Sequence, residues 1–324
     1  MRIALDLLGA DRDEAELARY LHELSPDHYR LTLIGSHEPA AIPAVDRFVP
    51  VTEFIAQDDD LTTALRRRPD ASMRVALDLA ARDEVDAVVS AGNTAALMAL
   101  SRRLVGRVPG LSRPAICKQL TGKDGSVWLL DLGANVNCSG EQLLQFAHLG
   151  AALAGAVLDR RPRVALLNIG AELTKAPPAV GRAAQLCEHV PGFDYRGLIE
   201  GHELFDGKVD VVVCDGLLGN VALKAAEGTA TLVQHILATH LANRPAWIRW
   251  LVSRLLGARR LSRFYDPQVY NGASLLGLSR VVVKSHGRAD GRGFVAAIGQ
   301  ARREVCEDVP GRVHAALLGR SESR

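Results

Sequence analysis

Short apolar runs that end in Gly, Asn and Asp are the dominant pattern of this 324-residue chain. The clearest runs cover residues 85–89, 127–131, 164–167 and 209–214, and a loop of small polar residues follows each one. Strands that are apolar on both faces are typical of buried, mostly parallel sheets. Ligands of such sheets bind at the carboxyl ends of the strands, where glycines let backbone amides approach an anion. The pattern therefore predicts a site at these loops.

The alternation of strand, loop and helix along the chain predicts an α/β fold, with a mostly parallel central sheet and flanking helices. Residues 3–7 and 31–34 are predicted strands, and a helix is expected to begin near Asp13. Residues 72–81 are a predicted helix and residues 281–283 a late strand, whereas residues 37–69 are less regular. No shift in composition marks a domain boundary, so we expect residues 1–324 to form a single catalytic unit.

Composition and charge argue against several classes of function. The net charge is +2, and no long basic run interleaved with aromatic residues is present, so we expect no nucleic-acid partner. The five cysteines are scattered without metal-ligand spacing, which predicts free thiols in a reducing compartment and no metal site. The first residues resemble a strand rather than a signal peptide, and no uncharged apolar run would span a bilayer. We therefore expect a cytoplasmic protein.

Residues 243–266 differ from the rest of the chain in composition. Asn243 can cap a helix in which two tryptophans and several leucines share one face, with arginines around it. The predicted contact residues of this helix are Trp247, Trp250, Leu251 and Arg254. Trp and Arg on a short amphipathic helix are typical of a membrane-surface segment, but a helix packed on the body or a subunit contact fits as well. The residues alone leave these alternatives open.

A cluster of polar groups follows the predicted strand at residues 281–283. Lys284, Ser285 and His286 offer an ammonium, a hydroxyl and an imidazole within one turn, and Lys175 follows another glycine-marked loop. Such groups suit an oxyanion such as phosphate. The phosphate dianion is already a nucleophile, so its site needs positioning and charge screening rather than a Ser–His pair. The chain lacks the Walker, dinucleotide and serine-hydrolase motifs, which disfavours those chemistries.

Several sequence blocks occur in the order known from one enzyme family. They are Ser-Ala-Gly-Asn-Thr at 90–94, Asp-Leu-Gly-Ala-Asn-Val at 131–136, Leu-Asn-Ile-Gly at 167–170, Cys-Asp-Gly-Leu-Leu-Gly-Asn at 214–220 and Lys-Ser-His-Gly at 284–287. Residues 113–116 and 271–277 fit the same pattern. With these blocks the chain resembles the bacterial phosphate acyltransferases of phospholipid synthesis, the PlsX family. The resemblance covers nearly the whole chain and is weakest between residues 35 and 69.

The resemblance implies an activity, a fold, an oligomeric state and a location in the cell. It implies conversion of acyl carrier protein thioesters and inorganic phosphate into acyl phosphate, with no metal or organic cofactor. It also implies a fold similar to phosphotransacetylases and isocitrate dehydrogenases, a homodimer, and peripheral association with the inner face of the cell membrane. The acyl phosphate would pass to a membrane glycerol-3-phosphate acyltransferase. Lipid contact then becomes the favoured interpretation of residues 243–266.

The predicted site residues follow from the loops and from the family blocks. We expect Lys284, His286 and Lys175 to hold or screen phosphate, and Asn135 to orient the ligand or stabilise the tetrahedral oxyanion. Asp6 and Asp131 are expected to order loops. The remaining predicted substrate contacts are Asn93, Thr94, Gly133, Asn168, Asp215, Gly219, Asn220 and Ser285. Asp215 and the asparagines at strand ends also fit purely structural roles in turns and helix caps.

The chain departs from the family pattern at five positions. The family usually has Gly where Ala10, Ala95 and Ala176 stand, Glu at Ala171 and Asp at Asn137. A Gly→Ala change disfavours positive φ, and loss of a carboxylate removes charge, so either could lower activity or alter the substrate. Two alternatives therefore stay open. One is a short-chain phosphotransacetylase that uses coenzyme A, and the other is a catalytically impaired, membrane-associated protein that binds acyl chains or carrier protein.

Overall fold

The computed structural model describes residues 1–242 and 271–319 and contains one sheet of eleven strands. In chain order, β1 to β11 are Arg2–Asp6, Arg30–Gly35, Val45–Pro50, Ala87–Ser90, Ala115–Gly122, Gly125–Leu130, Arg163–Leu167, Asp194–Ile199, Val211–Val213, Ala273–Leu276 and Val281–Lys284. The helices α1 to α9 are Glu14–Tyr20, Leu61–Arg67, Ser72–Ala81, Thr94–Leu104, Gly140–Leu158, Pro178–Cys187, Gly216–Ala242, Gly291–Cys306 and Val309–Leu317. The predicted amphipathic segment at residues 243–266 lies outside the described residues.

Two parallel blocks of strands build the sheet, whose order is β3-β2-β1-β4-β11-β10-β5-β6-β9-β7-β8. The amino-terminal block contains β3, β2, β1, β4 and β11, and its pairings are all parallel. The carboxyl-terminal block contains β6, β9, β7 and β8, which are also parallel to one another. Antiparallel pairings through β10 and β5 join the blocks, so the two blocks run in opposite directions. The prediction of a mostly parallel sheet with flanking helices is confirmed.

The register of the joining strands brings the carboxyl ends of both blocks together. Ala273 of β10 pairs with Lys284, the last residue of β11, and on its other side with Lys118 of β5. Lys118 in turn pairs with Leu129, close to the end of β6. Although the two blocks run in opposite directions, the carboxyl ends of β11 and β6 therefore lie at the same level of the sheet. The loops after β1, β4 and β11 face the loops after β6 and β9.

The flanking helices cover both faces of each block. On one face of the amino-terminal block, α1 and α8 bury Leu17 and Phe294 against the strands. On its other face, α3 and α4 bury Leu77 and Leu97. The carboxyl-terminal block packs α5, whose Phe146 is fully buried, on one face and the start of α7 on the other. Strands covered on both faces account for the continuous apolar runs in the sequence.

Several helices begin at side-chain caps that the sequence also displays. Asn93 accepts a hydrogen bond from the Ala96 amide at the start of α4. Ser139 and Gln142 form a reciprocal capping box at the start of α5. Each cap satisfies backbone amides that have no partner inside the helix. None of the helices within the described ranges combines the length and apolarity that a membrane crossing requires.

Candidate active site

A cleft of about 830 Å³ lies where the two blocks meet. Lys284 and His286 reach it from the end of β11, and Thr94 reaches it from the start of α4. From the other block, the loop after β6 and the first turns of α7 complete the walls. Their predicted site residues are Gly133, Asn135 and Asn220. The structure therefore brings together six of the predicted contacts from four separate segments of the chain.

A row of three polar residues lies at the strand ends on the amino-terminal side of the cleft, and of the three only Lys284 lines the cleft itself. The register pairs Asp6 with Ser90 and Ser90 with Lys284, so the three side chains lie on neighbouring strand ends. The Ser90 hydroxyl donates to the Asp6 carboxylate at 2.6 Å, and the Leu8 amide donates to its other oxygen at 3.2 Å. Burial raises the pKa of Asp6 to about 6. Asp6 therefore orders the end of β1 and also carries charge near Lys284.

Lys284 is a buried ammonium, only 8% exposed. Its Nζ donates to the carbonyl oxygens of Ala91, at 3.1 Å, and Ser285. Burial lowers the pKa of Lys284 to about 8, and the nearby carboxylates of Asp6 and Asp11 oppose that shift. An ammonium has three N–H groups, so one remains after these two bonds. Lys284 lines the cleft and can direct that third donor at an anion.

His286 is held in one orientation by the loop that carries it. Its backbone amide donates to Asn271 Oδ1 at 2.9 Å, and its ring Nδ1 accepts from the Arg288 amide at 3.1 Å. Burial, followed by the charge of Lys224, lowers the pKa of His286, so the neutral ring is favoured. Because Nδ1 is an acceptor, the neutral ring carries its proton on Nε2. His286 therefore offers a single N–H donor from Nε2.

Asn271 ties the predicted Lys-Ser-His cluster to helix α8. Its amide donates to the Ser285 hydroxyl at 2.7 Å and to the Gly293 carbonyl at 2.9 Å. Ser285 is fully buried and does not line the cleft, so its hydroxyl acts within this network. Asn271 lies in one of the family blocks, but nothing in its local pattern marks it as a partner of Ser285.

Positive charge predominates around the cleft. Six cationic side chains and two carboxylates line it: Arg102, Arg113, Lys118, Lys224, Lys284, Arg288, Asp11 and Glu227. Lys118 and Lys224 each contact Glu227 at 2.8 Å. Arg102 and Arg113 form no ion pair with any residue in the described part of the chain. The cleft therefore suits an anionic ligand, and sequence reasoning missed the two arginines because their elements meet only in the folded chain.

Asp131 organises the loop that forms the other wall. Its carboxylate accepts from the backbone amides of Ile116, Leu132 and Asn135, at 2.6–2.8 Å, and is fully buried. Burial raises the pKa of Asp131, and these amide donors oppose the rise. The Asn135 side-chain amide donates to Asp131, at 3.1 Å, and to the Pro114 carbonyl, at 2.8 Å. Both of its N–H groups are therefore committed within the protein.

Two glycines let helix α7 approach this loop closely. A Cβ at Gly219 would lie 2.0 Å from the Asp131 carbonyl oxygen, and one at Gly216 would lie 2.4 Å from that of Asn135. Asp215 accepts from the Cys138 amide at 2.9 Å and from the Leu217 amide at 2.9 Å. Gly219 and Asp215 thus hold the first turn of α7 against the loop, and neither lines the cleft.

Three further predicted contacts lie outside the cleft lining. Asn93 caps α4 and donates to the Gln57 carbonyl at 2.9 Å. Asn168 donates to the Gly170 carbonyl at 2.8 Å within its own loop. Lys175 is exposed and pairs with Glu172 at 3.0 Å. The structure therefore does not bring Lys175 together with Lys284 and His286.

The positions that depart from the family pattern carry no backbone strain from their side chains. Of the described non-glycine residues at positive φ, none is an alanine, so Ala10, Ala95, Ala171 and Ala176 all avoid the left-handed region. Asn137 has φ of 57°, a conformation that Asn adopts more readily than most residues. The positive φ that a Gly→Ala change disfavours is therefore not required at these four positions. In residues 1–242 and 271–319, no three His, Cys, Asp or Glu side chains converge to hold a metal ion.

Comparison with known proteins adds a family and a fold. The family model described as "Fatty acid synthesis protein" matches residues 1–312. A protein named phosphate acyltransferase from Pseudomonas fluorescens is 44% identical, with 97% of each chain covered. One of the same name from Teredinibacter turnerae is 42% identical, with 97% of this chain and 98% of the relative covered.

Solved structures share the architecture at low sequence identity. A branched-chain phosphotransacylase from Enterococcus faecalis superposes with a TM-score of 0.62 at 13% identity, covering 94% of this chain and 99% of that chain. A phosphotransacetylase from Streptococcus pyogenes gives a TM-score of 0.60 at 15% identity, covering 95% and 94%. At these identities the structures show the fold alone.

Proposed function

This chain belongs to the phosphate acyltransferase family, and we propose that it forms acyl phosphate from inorganic phosphate and acyl carrier protein thioesters for phospholipid synthesis. The observation that supports this most directly is the buried Lys284 ammonium beside the His286 ring in a cationic cleft. A cleft of this charge suits a dianionic nucleophile. The same cleft draws on both blocks of the sheet, which supports a single catalytic unit.

Phosphate is the nucleophile of the proposed reaction. The free N–H of Lys284 and the Nε2–H of His286 hold and screen it, and one phosphate oxygen attacks the thioester carbonyl carbon. A C–O bond forms, the carbonyl oxygen becomes an oxyanion, and the C–S bond breaks as that oxyanion collapses. The leaving thiolate takes a proton from water, because the neutral His286 ring would become an imidazolate anion if it gave up its Nε2 proton. Most of the rate then comes from positioning and from electrostatic stabilisation.

The other predicted residues fall into two groups, those proposed to contact substrate and those proposed to position the loops around it. Thr94, Gly133 and Asn220 line the cleft and are proposed to contact substrate. Asn135 also lines it, but its committed N–H groups make it a positioning residue for the 131–135 loop. Asp6 and Asp131 order the loops that carry the contacts.

Phosphate-dependent thiol release from an acyl carrier protein thioester tests the activity. We expect Lys284→Met to lower kcat/KM for phosphate by about 100-fold, the usual effect of removing one donor to a transition-state anion. Lys208→Met is the control, because Lys208 is an exposed lysine that does not line the cleft. Thiol release as fast in Lys284→Met as in the parent would remove Lys284 from the mechanism.

A comparison of donors separates this activity from the alternatives. A phosphate acyltransferase of phospholipid synthesis uses long acyl carrier thioesters, whereas a short-chain phosphotransacetylase would prefer acetyl-coenzyme A. Absence of turnover with every donor, together with retained binding to lipid vesicles, would instead support a catalytically impaired acyl-binding protein.

We also propose that the enzyme works as a homodimer bound peripherally to the inner face of the cell membrane. There it would pass acyl phosphate to a membrane glycerol-3-phosphate acyltransferase. The support is the composition of residues 243–266, where Trp247, Trp250, Leu251 and Arg254 combine the interfacial and cationic features that anionic lipid surfaces attract. Sedimentation with anionic vesicles tests this. We expect Trp247→Ala with Trp250→Ala to bind several-fold less, and unchanged binding would assign the segment to packing.

A further inference from the structure

A second cavity, of about 940 Å³, opens beside the polar cleft. Its walls come from β5, the turn at residues 201–205 and one side of α7. The apolar side chains that line it are Leu120, Leu204, Phe205, Ala222, Leu223, Ala225, Ala226, Ala230, Val233 and Ala289. Polar side chains line the end that faces the cleft and also other parts of the wall, where Thr121, Lys123 and Thr229 stand. We refer to this space as the apolar cavity.

The apolar cavity and the polar cleft share part of their walls. Lys118, Glu227, Asn271 and His286 line both spaces. At this junction Glu227 accepts from Lys118 and from Lys224, each at 2.8 Å, so the charges there are mutually paired. A ligand whose charged end lies near Lys284 can therefore extend past His286 into the apolar cavity.

We propose that the apolar cavity is the subsite for the hydrocarbon chain of the thioester donor, with the thioester carbonyl at the junction beside His286. This inference rests on the proposed function and adds to it the place of the acyl chain and the two side chains, Ala226 and Ala230, that leave room for it. Two features support it, namely the continuity with the cleft and a volume within the range typical of ligand sites. Each methylene that such a cavity removes from water strengthens binding by about fourfold.

Small side chains on α7 keep the cavity open. Ala226 and Ala230 are one helical turn apart, line the apolar cavity and do not line the polar cleft. A bulky residue at either position would fill space that the hydrocarbon chain is proposed to occupy, without contacting the groups proposed to hold phosphate. Ala238 lies on the same helix but is exposed and lines neither space, which makes it a matched control.

The experiment measures kcat/KM for thioesters from butyryl to palmitoyl with the full chain, its Ala226→Phe and Ala230→Phe variants and the Ala238→Phe control. In the parent and the control we expect kcat/KM to rise with chain length. In the two cavity variants we expect palmitoyl transfer to fall by at least about tenfold, the usual effect of poor fit in an apolar pocket, while butyryl transfer stays within about twofold. Butyryl turnover also verifies that each variant has folded.

A second measurement does not depend on turnover. Calorimetric titration with hexadecylphosphonate and butylphosphonate compares a long and a short unreactive anion. We expect Ala226→Phe to weaken only the long one, again by at least about tenfold. A parent with equal kcat/KM for all chains, or an unchanged affinity of Ala226→Phe for hexadecylphosphonate, would overturn the subsite. A shift of Ala226→Phe in oligomeric state alone would assign the cavity to a second copy of the chain and would also overturn it.

Failure of the proposed function would give a different result from failure of the hydrocarbon subsite. If no donor gives phosphate-dependent thiol release, the proposed reaction is wrong, while the two phosphonates still decide whether the cavity holds an alkyl chain.

Discussion

At the scale of single residues, the pair formed by Asp6 and Lys284 sets the charge of the site. Burial alone would favour the neutral form of each side chain. The pKa of Asp6 is raised to about 6 and that of Lys284 is lowered to about 8, so both are charged between these values. The carboxylate supports the ammonium across neighbouring strand ends. The site thus holds a cation in a place where burial lowers the pKa of its ammonium and the Asp6 carboxylate opposes that shift.

The pH dependence of phosphate use follows from the pKa of Lys284. The protonated ammonium is the form proposed to bind phosphate, so kcat/KM for phosphate should fall as pH rises through about 8. Lys284→Arg keeps its charge over this range because guanidinium has a far higher pKa. The ratio of variant to parent activity cancels the titration of phosphate itself. We expect that ratio to rise about tenfold per pH unit above 8, and a constant ratio would contradict the assignment.

Asp6 is expected to act on the reaction through the charge of Lys284, in addition to ordering the end of β1. Its charge raises the pKa of Lys284, so Asp6→Asn should lower that pKa further and move the basic limb of the kcat/KM profile to lower pH. A residue that only orders the loop would reduce activity equally at every pH. The measurement is therefore the position of the basic limb in Asp6→Asn, compared with Asp13→Asn at the exposed cap of α1.

At the scale of elements, apolar patterning predicted the parallel strands inside the two blocks, and it missed the edge strands as well as β5 and β10, which join the blocks. The helix expected at residues 72–81 is α3, and the strand expected at 281–283 is β11 with one added residue. In contrast, β3 and β8 at the two edges of the sheet were not predicted, since their side chains are largely half-exposed or exposed. An edge strand with one open face lacks the continuous apolar run that marks a central strand.

At the candidate site, local sequence patterns likewise found some residues and missed others. Lys284 and His286 are adjacent in sequence, so a local pattern could find them. Lys175 follows β7, which β9 separates from β6, so its loop lies away from the meeting of the blocks. Arg102 and Arg113 come from α4 and the start of β5, and only the register of β10 and β5 brings them to the cleft. Local patterns predict where strands end, but not which strand ends face each other.

Helix α8 carries a buried carboxyl that should make stability depend on pH. Glu304 is 3% exposed and accepts from Gln300 at 2.8 Å and from Ser274 of β10. Burial raises the pKa of Glu304 from 4.5 to about 7. The folded state therefore binds this proton more tightly than the unfolded chain does. The contribution of protonated Glu304 to the free energy of unfolding is fully present below about pH 4.5. It is lost as pH rises through about 7, a change of about 3 kcal/mol.

Glu304→Gln removes this titration and can keep the hydrogen bonds. We expect the free energy of unfolding of the parent to fall between pH 5 and pH 9 relative to that of Glu304→Gln, so that the variant is the more stable protein at pH 9. Urea unfolding at both pH values measures it. Glu188→Gln, at an exposed glutamate, should follow the parent at both. Parallel pH profiles for Glu304→Gln and the parent would contradict the buried, protonated Glu304.

At the scale of the whole molecule, the site lies between two blocks that run in opposite directions. Each block buries its own apolar clusters, and within residues 1–242 and 271–319 the strands that join the blocks are β10 and β5. Lys284 and His286 belong to one side, whereas the 131–135 loop and α7 belong to the other. A ligand in the cleft therefore contacts both blocks at once. Binding should stabilise their arrangement and thus the fold as a whole.

Phosphate should raise the thermal stability of the protein through this site. A ligand that binds only the folded state at 100 times its Kd adds about 2.7 kcal/mol to the free energy of unfolding. We expect the melting temperature to increase with phosphate concentration in the parent and in Lys208→Met, measured against chloride at equal ionic strength. Lys284→Met should lose most of that increase, because the buried ammonium at the floor of the cleft is absent. An equal increase in Lys284→Met would contradict phosphate binding at Lys284 and would assign the stabilisation to another site or to the exclusion of phosphate from the protein surface.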